Sequence, residues 1–178
     1  MKGALLTVDE ALARVLASAS EPLAEEWVPL GEAFGRTLSR DLEALRTQPP
    51  FANSAMDGYA VRAADCAGAN ATLKLIGESA AGRAFNGSLG AGETVRIFTG
   101  APIPKGADAV VIQEDARRDG ASVVVGTAAT PGDNIRILGL DFAEGELLAR
   151  AGMRLTPRTV ALAAAAHHAK LPVRRASS

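Results

Sequence analysis

Cysteine is nearly missing from this sequence, with Cys66 the single one among 178 residues. That excludes an internal disulfide and any multi-cysteine metal site, and Cys66 reads as a small buried hydrophobe. Aromatic residues are also scarce, at 4%. A core must therefore be assembled from many small aliphatic contacts rather than a few large rings. No run reaches the ~18 apolar residues a membrane span needs, the longest being 160–166. An excess of one charge is lacking too, since the formal net charge is -1. Basic residues are scattered apart from Arg117-Arg118 and Arg174-Arg175, so nucleic acid is not an expected partner. The opening Met1-Lys2-Gly3, soon followed by Asp9-Glu10, is unlike a signal peptide, and the expected location is the cytoplasm. What is present, 48% hydrophobic and 22% charged residues, is the balance of a folded chain.

Helical signals stand at the two ends. Thr7-Val8-Asp9-Glu10 is a capping box, in which the Thr7 hydroxyl accepts the third helical amide and Glu10 reaches back to the cap amide. Val8, Leu12, Val15, Leu16 and Ala19 then share one stripe, and Ser20-Glu21-Pro22 closes the helix. Thr156-Pro157 predicts a second helix running to about His168, with a stripe of Val160, Ala161, Ala164 and Ala165. Residues 27–30 read as a short strand, 31–35 as a turn and 37–42 as a second extended piece, and Pro49-Pro50 marks a boundary. Leu171-Pro172-Val173 starts another strand.

Between those ends the sequence turns to short β-branched runs at 59–61, 72–76, 93–98, 109–112 and 122–125, the pattern of a small all-β unit. Asn86-Gly87 and Asp119-Gly120 are hairpin dipeptides, because both central residues of a type I′ turn need positive φ. The second is expected to join the strand ending near Gln113 to the one starting near Ser122.

Three segments carry polar groups on rigid loops. The first, 49–60, gathers Asn53, Ser54 and Asp57 ahead of a strand. Asp57-Gly58 is a turn signal, and Asp57 is also placed to accept a proton or orient a water or cation, with Asn53 and Ser54 offering hydrogen bonds to an oxyanion. The second, 97–110, joins two strands by a Gly/Pro loop. That loop is either a rigid turn or a place where Thr99 and the Gly100 amide bind an anionic oxygen. In the third, Gly132-Asp133-Asn134-Ile135-Arg136 is followed by Gly139-Leu140-Asp141. Arg136 and Asp141 either aim at one ligand or form a solvated ion pair. His167 and His168 are adjacent on a helix and cannot face one metal together, so a role at the helix C-terminus is the better account.

In this order and at these separations the three segments resemble the molybdopterin molybdenumtransferase family, the MoeA and gephyrin E-domain family, over nearly the whole chain. The matching stretches are Pro49-Pro50-Phe51 through Met56-Asp57-Gly58-Tyr59, then Thr99-Gly100-Ala101-Pro102, then Asn134-Ile135-Arg136 and Asp141. The resemblance implies a mostly β fold of coiled, bifurcated β-sheets. In it residues 49–140 form a barrel-like middle unit, and 1–48 with 141–178 form a base that carries short helices. It implies a reaction in which molybdenum from molybdate is inserted into adenylylated molybdopterin with Mg2+. The family's pterin-binding α/β domain lies outside this stretch, so none of these ligands is expected on this piece alone, which is expected not to turn over. The family's active site is shared across a homodimer. On that basis Asp57 and Asp141 are the candidate catalytic residues, and Asn53, Ser54, Thr99, Gly100 and Arg136 the candidate substrate-binding ones, with no metal ligand assigned.

Two positions depart from the family pattern. The family usually carries an acidic residue where Ala52 stands and a glutamate where Leu140 precedes Asp141, so this chain has two fewer carboxylates there. His167-His168 also replaces small residues. The alternative that these departures permit is a non-catalytic binding or assembly module on the same scaffold.

Overall fold

The computed structural model describes residues 6–18, 21–68 and 70–176. Strand outweighs helix by 35% to 18%, so the chain is mostly β, as its sequence predicts. Two helices, α1 (Val8–Ser18) and α2 (Pro157–Ala165), accompany the strands. These are β1 (Glu25–Pro29), β2 (Leu42–Glu43), β3 (Asn53–Ser54), β4 (Gly58–Val61), β5 (Ala71–Ser79) and β6 (Glu93–Ile97). They continue with β7 (Ala109–Ile112), β8 (Ala116–Asp119), β9 (Ser122–Val125), β10 (Ile135–Arg136), β11 (Leu147–Ala149) and β12 (Lys170–Arg174). The chain divides into two compact units, Met1–Leu45 with Gly145–Ser178, and Arg46–Glu144.

The first unit pairs β1 with β12 and β2 with β11, both antiparallel. Its core is aliphatic: Val28, Leu38, Leu42, Leu155, Leu171 and Val173 are buried together with Ala163 of α2. The 37–42 stretch is extended but enters the sheets only through bridges at Thr37 and Leu38 before β2 begins. The capping box of α1 forms as its sequence predicts. Glu10 Oε2 accepts the Thr7 amide at 2.9 Å, and the Thr7 hydroxyl accepts the Glu10 amide at 3.3 Å. Among its described residues none is buried, and Val8, Leu12, Val15 and Leu16 lie on the surface. Ala19 and Ser20, placed at the end of this stripe by the sequence pattern, fall outside the described residues.

Helix α2 starts at the Thr156 cap with Pro157 in its first turn, and Thr156 and Thr159 exchange side-chain and backbone hydrogen bonds at 2.9 and 3.2 Å. It ends three residues earlier than the sequence suggests, and of the expected stripe only Val160 packs against the core. Ala163 and Ala166 are buried, whereas Ala161, Ala164 and Ala165 are exposed. An all-alanine run gives no periodic contrast from which the buried face can be read. The helix stops because His167 adopts φ 77, and the amides of His167 and His168 turn back to the carbonyls of Ala164 and Ala163. This is a Schellman motif with histidine in the left-handed position that glycine usually takes.

The second unit is a six-stranded sheet in the order β7-β4-β6-β5-β9-β8. All its pairs are antiparallel except β5 with β6. The sheet curls into a half-barrel, which corrects the barrel expectation. Strands β7 and β8 stand at opposite ends of the order and remain edges, so the barrel does not close. Alternation sends side chains into two clusters, one on each face. Tyr59, Val61, Leu73, Ala109, Val111, Val123 and Val125 pack on one side, and Ala60, Val95, Ile97 and Val110 on the other. Every residue of β4 is buried, because this strand runs between β6 and β7 with both faces covered. At Gly58 the neighbouring strand is so close that a Cβ would lie 2.0 Å from the Val111 carbonyl oxygen.

Of the two hairpin dipeptides, one marks a hairpin and the other does not. Asp119-Gly120 turns between β8 and β9, not between the strand ending near Gln113 and β9. Strand β8, with Arg117, Arg118 and Asp119, is polar and exposed at the sheet edge, so it lacks the apolar signal that strands usually carry. Asn86-Gly87 forms no hairpin, and neither residue has positive φ. Gly87 instead leaves room for the Phe85 ring, since a Cβ there would lie 2.5 Å from ring carbons. A Cβ at Gly77 of β5 would meet the same ring at 2.5 Å.

Candidate functional site

The three polar segments that the sequence keeps far apart meet around Ser54, inside the second unit. Strand β3 pairs with β10, setting Ser54 opposite Ile135 and Asn53 opposite Arg136. The Ser54 amide donates to the Ala101 carbonyl at 3.0 Å, and the Gly100 amide donates to the Ser54 carbonyl at 2.8 Å. Just beyond, the Ala55 amide donates to the Asn134 carbonyl at 2.8 Å. Asn134 makes this possible by adopting φ 54, which asparagine tolerates, while its side-chain amide donates to the Val110 carbonyl at 2.8 Å.

Within this frame Ser54 and Gly100 hold the loops together. Ser54 is fully buried, its hydroxyl donating to the Met56 carbonyl at 2.6 Å. The amide of Gly100 is engaged with Ser54 rather than open to an anion. Gly100 stands at φ 80, a conformation that favours glycine in the turn leaving Thr99. Asn53 is half-buried, with only a long 3.5 Å hydrogen bond from its side-chain amide to the Phe51 carbonyl.

Asp57 is the most constrained carboxylate of the group. Its Oδ1 accepts both the backbone N–H and the hydroxyl of Thr99, each at 2.8 Å. The Asp57 carbonyl accepts the Gln113 amide at 3.0 Å, so the residue is anchored at both backbone and side chain. The Thr99 amide first, and its hydroxyl second, hold the Asp57 carboxyl below the usual carboxylate range, and the positive charge of Arg96 acts in the same direction. Charge-assisted bonds of this kind favour the ionised form.

Arg136 and Asp141 bond each other. The guanidinium Nη2 lies 2.9 and 3.2 Å from the two carboxylate oxygens, and both side chains are close to half exposed. The two histidines fall in the other unit and apart in role. His167 shapes the helix end, and His168 Nε2 lies 2.8 Å from the Glu43 carbonyl. Among the described residues no group of three or more His, Cys, Asp or Glu side chains could hold a metal ion. The residues present therefore do not by themselves fit a Mg2+ site. A cavity of about 300 Å³ adjoins Asn134, lined by Met56, Val111, Ile112, Asp115 and Asp133 as well.

Sequence reasoning missed Arg96. It lies on β6 directly across from Tyr59 on β4, with its guanidinium carbon 5.1 Å from the Tyr59 ring centroid and 4.9 Å from that of Phe98. The available signal was weak: one arginine between the apolar Val95 and Ile97, which reads as the solvent-facing position of an alternating strand.

A half-barrel sheet carrying a converged Asn-Ser-Asp loop, Thr-Gly-Ala-Pro loop and Asn-Ile-Arg strand defines the class. Residues 6–166 match the family described as the MoeA N-terminal region (domain I and II), and the chain belongs to that family. It is similar to the molybdopterin molybdenumtransferase of Haemophilus influenzae, 37% identical over 161 residues, spanning 90% of this chain and 40% of the relative. It also resembles molybdopterin molybdenumtransferase 2 of Mycobacterium tuberculosis, 43% identical over 150 residues, or 82% of this chain and 37% of the relative. Among solved structures, the molybdopterin biosynthesis moeA protein of Pyrococcus horikoshii superposes with a TM-score of 0.81 at 39% identity, covering 85% of this chain and 41% of that one. The chain thus spans about 40% of the length of such relatives.

Proposed function

We propose that this chain is the N-terminal part of an enzyme that inserts molybdenum from molybdate into adenylylated molybdopterin, and that it contributes one wall of an active site completed across a homodimer. Asp57 and Asp141 are the catalytic carboxylates of this reading. Asn53, Thr99 and Arg136 meet the substrate, while Ser54 and Gly100 fix the loops that carry them. The carrying observation is the meeting of the three loops at Ser54, beside an ionised carboxylate, Asp57, that Thr99 of the second loop holds by two hydrogen bonds. A carboxylate so held keeps its charge and direction at neutral pH, which suits it to orient a water or a cationic group during adenylate cleavage. Because these residues do not form a cation site alone, Mg2+ in the whole enzyme would depend on ligands from elsewhere. Cytoplasmic placement goes with such a role.

The exposed stripe of Val8, Leu12, Val15 and Leu16 supports the homodimer, since an apolar face of this kind commonly covers itself by symmetric pairing. A sedimentation mass of one chain at roughly tens of micromolar would remove that part of the reading. The central test is molybdenum insertion by the full-length protein carrying Asp57→Asn. Turnover should fall about 10²-fold with the fold retained, and unchanged turnover would remove the catalytic assignment. The Arg136–Asp141 pair supplies the observation behind the second reading, a non-catalytic assembly module, because each partner already neutralises the other. On that reading the full-length protein shows no molybdenum insertion even without substitution.

A further inference from the structure

We propose that Arg96 is a positioning residue for Asp57, its guanidinium set against the rings of Tyr59 and Phe98 so as to lock together the two backbone segments that form the Asp57–Thr99 pair. This rests on the reading of Asp57 as the working carboxylate. Tyr59 lies two residues after Asp57, and Phe98 immediately precedes Thr99. The guanidinium sits 5.1 Å from the first ring centroid and 4.9 Å from the second, so it touches both sides of a pair whose members are 42 residues apart. Its donors complete the connection. Nη1 donates to the Gly58 carbonyl at 3.3 Å, and Nη2 donates to Gln113 Oε1 at 2.6 Å. The Gln113 amide in turn donates to the Asp57 carbonyl at 3.0 Å. The Gly58 carbonyl directly, and the Asp57 carbonyl through the backbone of Gln113, are therefore tied to one planar cation.

Only arginine meets all of these demands together. Its planar fork reaches two acceptors at once while its faces rest on aromatic rings, and lysine offers a point charge without the fork. The arrangement also places a permanent positive charge near Asp57, acting in the same sense as the Thr99 hydrogen bonds. The simpler account, a strand arginine whose stem covers the Tyr59 ring, leaves Asp57 indifferent to its loss.

The two accounts separate in an NMR titration of this chain that follows the Asp57 carboxyl carbon and the exchange of the Thr99 amide. In Arg96→Gln the Asp57 midpoint should rise and Thr99 amide protection should fall. In Arg96→Lys the midpoint should stay low while the protection is still lost, because the charge remains and the fork does not. Gln113→Ala, which leaves the aromatic contacts intact, should weaken Thr99 protection in a chain that still folds. An unchanged Asp57 midpoint and unchanged Thr99 exchange in Arg96→Gln overturn the proposal. If that variant does not fold, unchanged Thr99 exchange in both Arg96→Lys and Gln113→Ala overturns it equally. In the full-length enzyme Arg96→Gln should cut kcat about tenfold, as misplacement of a reacting group does, with no further loss in the Asp57→Asn background. Equal losses in both backgrounds show that Arg96 acts independently of Asp57 and overturn the proposal. Should Asp57→Asn leave turnover untouched, the catalytic reading fails while the NMR result still decides the positioning.

Discussion

The side chain of Asp57 and the backbone of Thr99, 42 residues apart, share one oxygen: Oδ1 of the aspartate takes both the N–H and the O–H of the threonine at 2.8 Å. Removing the hydroxyl while keeping side-chain shape separates the two bonds. Thr99→Val in the full-length protein should leave the amide bond in place and lower molybdenum insertion about tenfold, less than the loss from Asp57→Asn. Thermal denaturation should show the fold unchanged. A loss equal to that of Asp57→Asn would place the hydroxyl itself on the substrate.

Acid should act on the same pair. The folded-state pKa of Asp57 is lowered by Thr99, so its contribution to stability is fully present above the unfolded carboxyl value, about pH 4, and is lost as pH falls through the lower folded value. Urea denaturation from neutral pH down to about pH 3 should show wild type and Asp57→Asn converging in acid. Glu25 and Glu26 of the other unit, held low by Arg40 and Arg36, bring acid sensitivity of their own. The quantity to read is therefore the difference between the two proteins.

Gly58→Ala should be the most damaging single methyl in the half-barrel. A Cβ there lies 2.0 Å from the Val111 carbonyl oxygen, a backbone atom that moves only if β4 and β7 separate. The cost is expected at about 3 kcal/mol or more, read as loss of cooperative unfolding. The same change at Gly120, where nothing lies within 4 Å of the added carbon, meets only the strain of its positive φ.

At the end of α2 the expected change has the opposite sign. His167 occupies a left-handed position at φ 77 and is exposed, so His167→Gly relieves backbone strain and loses little packing. A gain of about 1 kcal/mol is expected by chemical denaturation. A destabilised variant would mean that the imidazole makes a contact beyond its turn.

Local chemistry was legible in the sequence. The capping box at Thr7 and the threonine cap at Thr156 both form, and the five β-branched runs became β4, β5, β6, β7 and β9. Where a signal depends on context, the sequence misled. The charged run of β8 carries no apolar pattern because an edge strand needs none, and Asn86-Gly87 is shaped by the Phe85 ring rather than by a hairpin. The alanines of α2 look alike from every side, so only the surrounding core decides which are buried. The candidate residues were found as loop motifs, yet their meeting at Ser54 depends on long-range strand pairing that no spacing encodes. Arg96 was overlooked for the same reason, since its role depends on Phe98, Tyr59 and Gln113 arriving around it.

The chain has one tryptophan and one cysteine, and they fall in different units. Trp27 sits on β1 of the first unit, paired with Pro172. Cys66 is fully buried in the second, where burial and then the charges of Asp65 and Asp108 push its thiol up, leaving it protonated and shielded from alkylating reagents while that unit is folded. Indole fluorescence thus follows one unit and thiol labelling follows the other, with no added label or mutation. Recorded together along a denaturant series, the two signals form a natural dual reporter of whether the units unfold as one cooperative block or in succession.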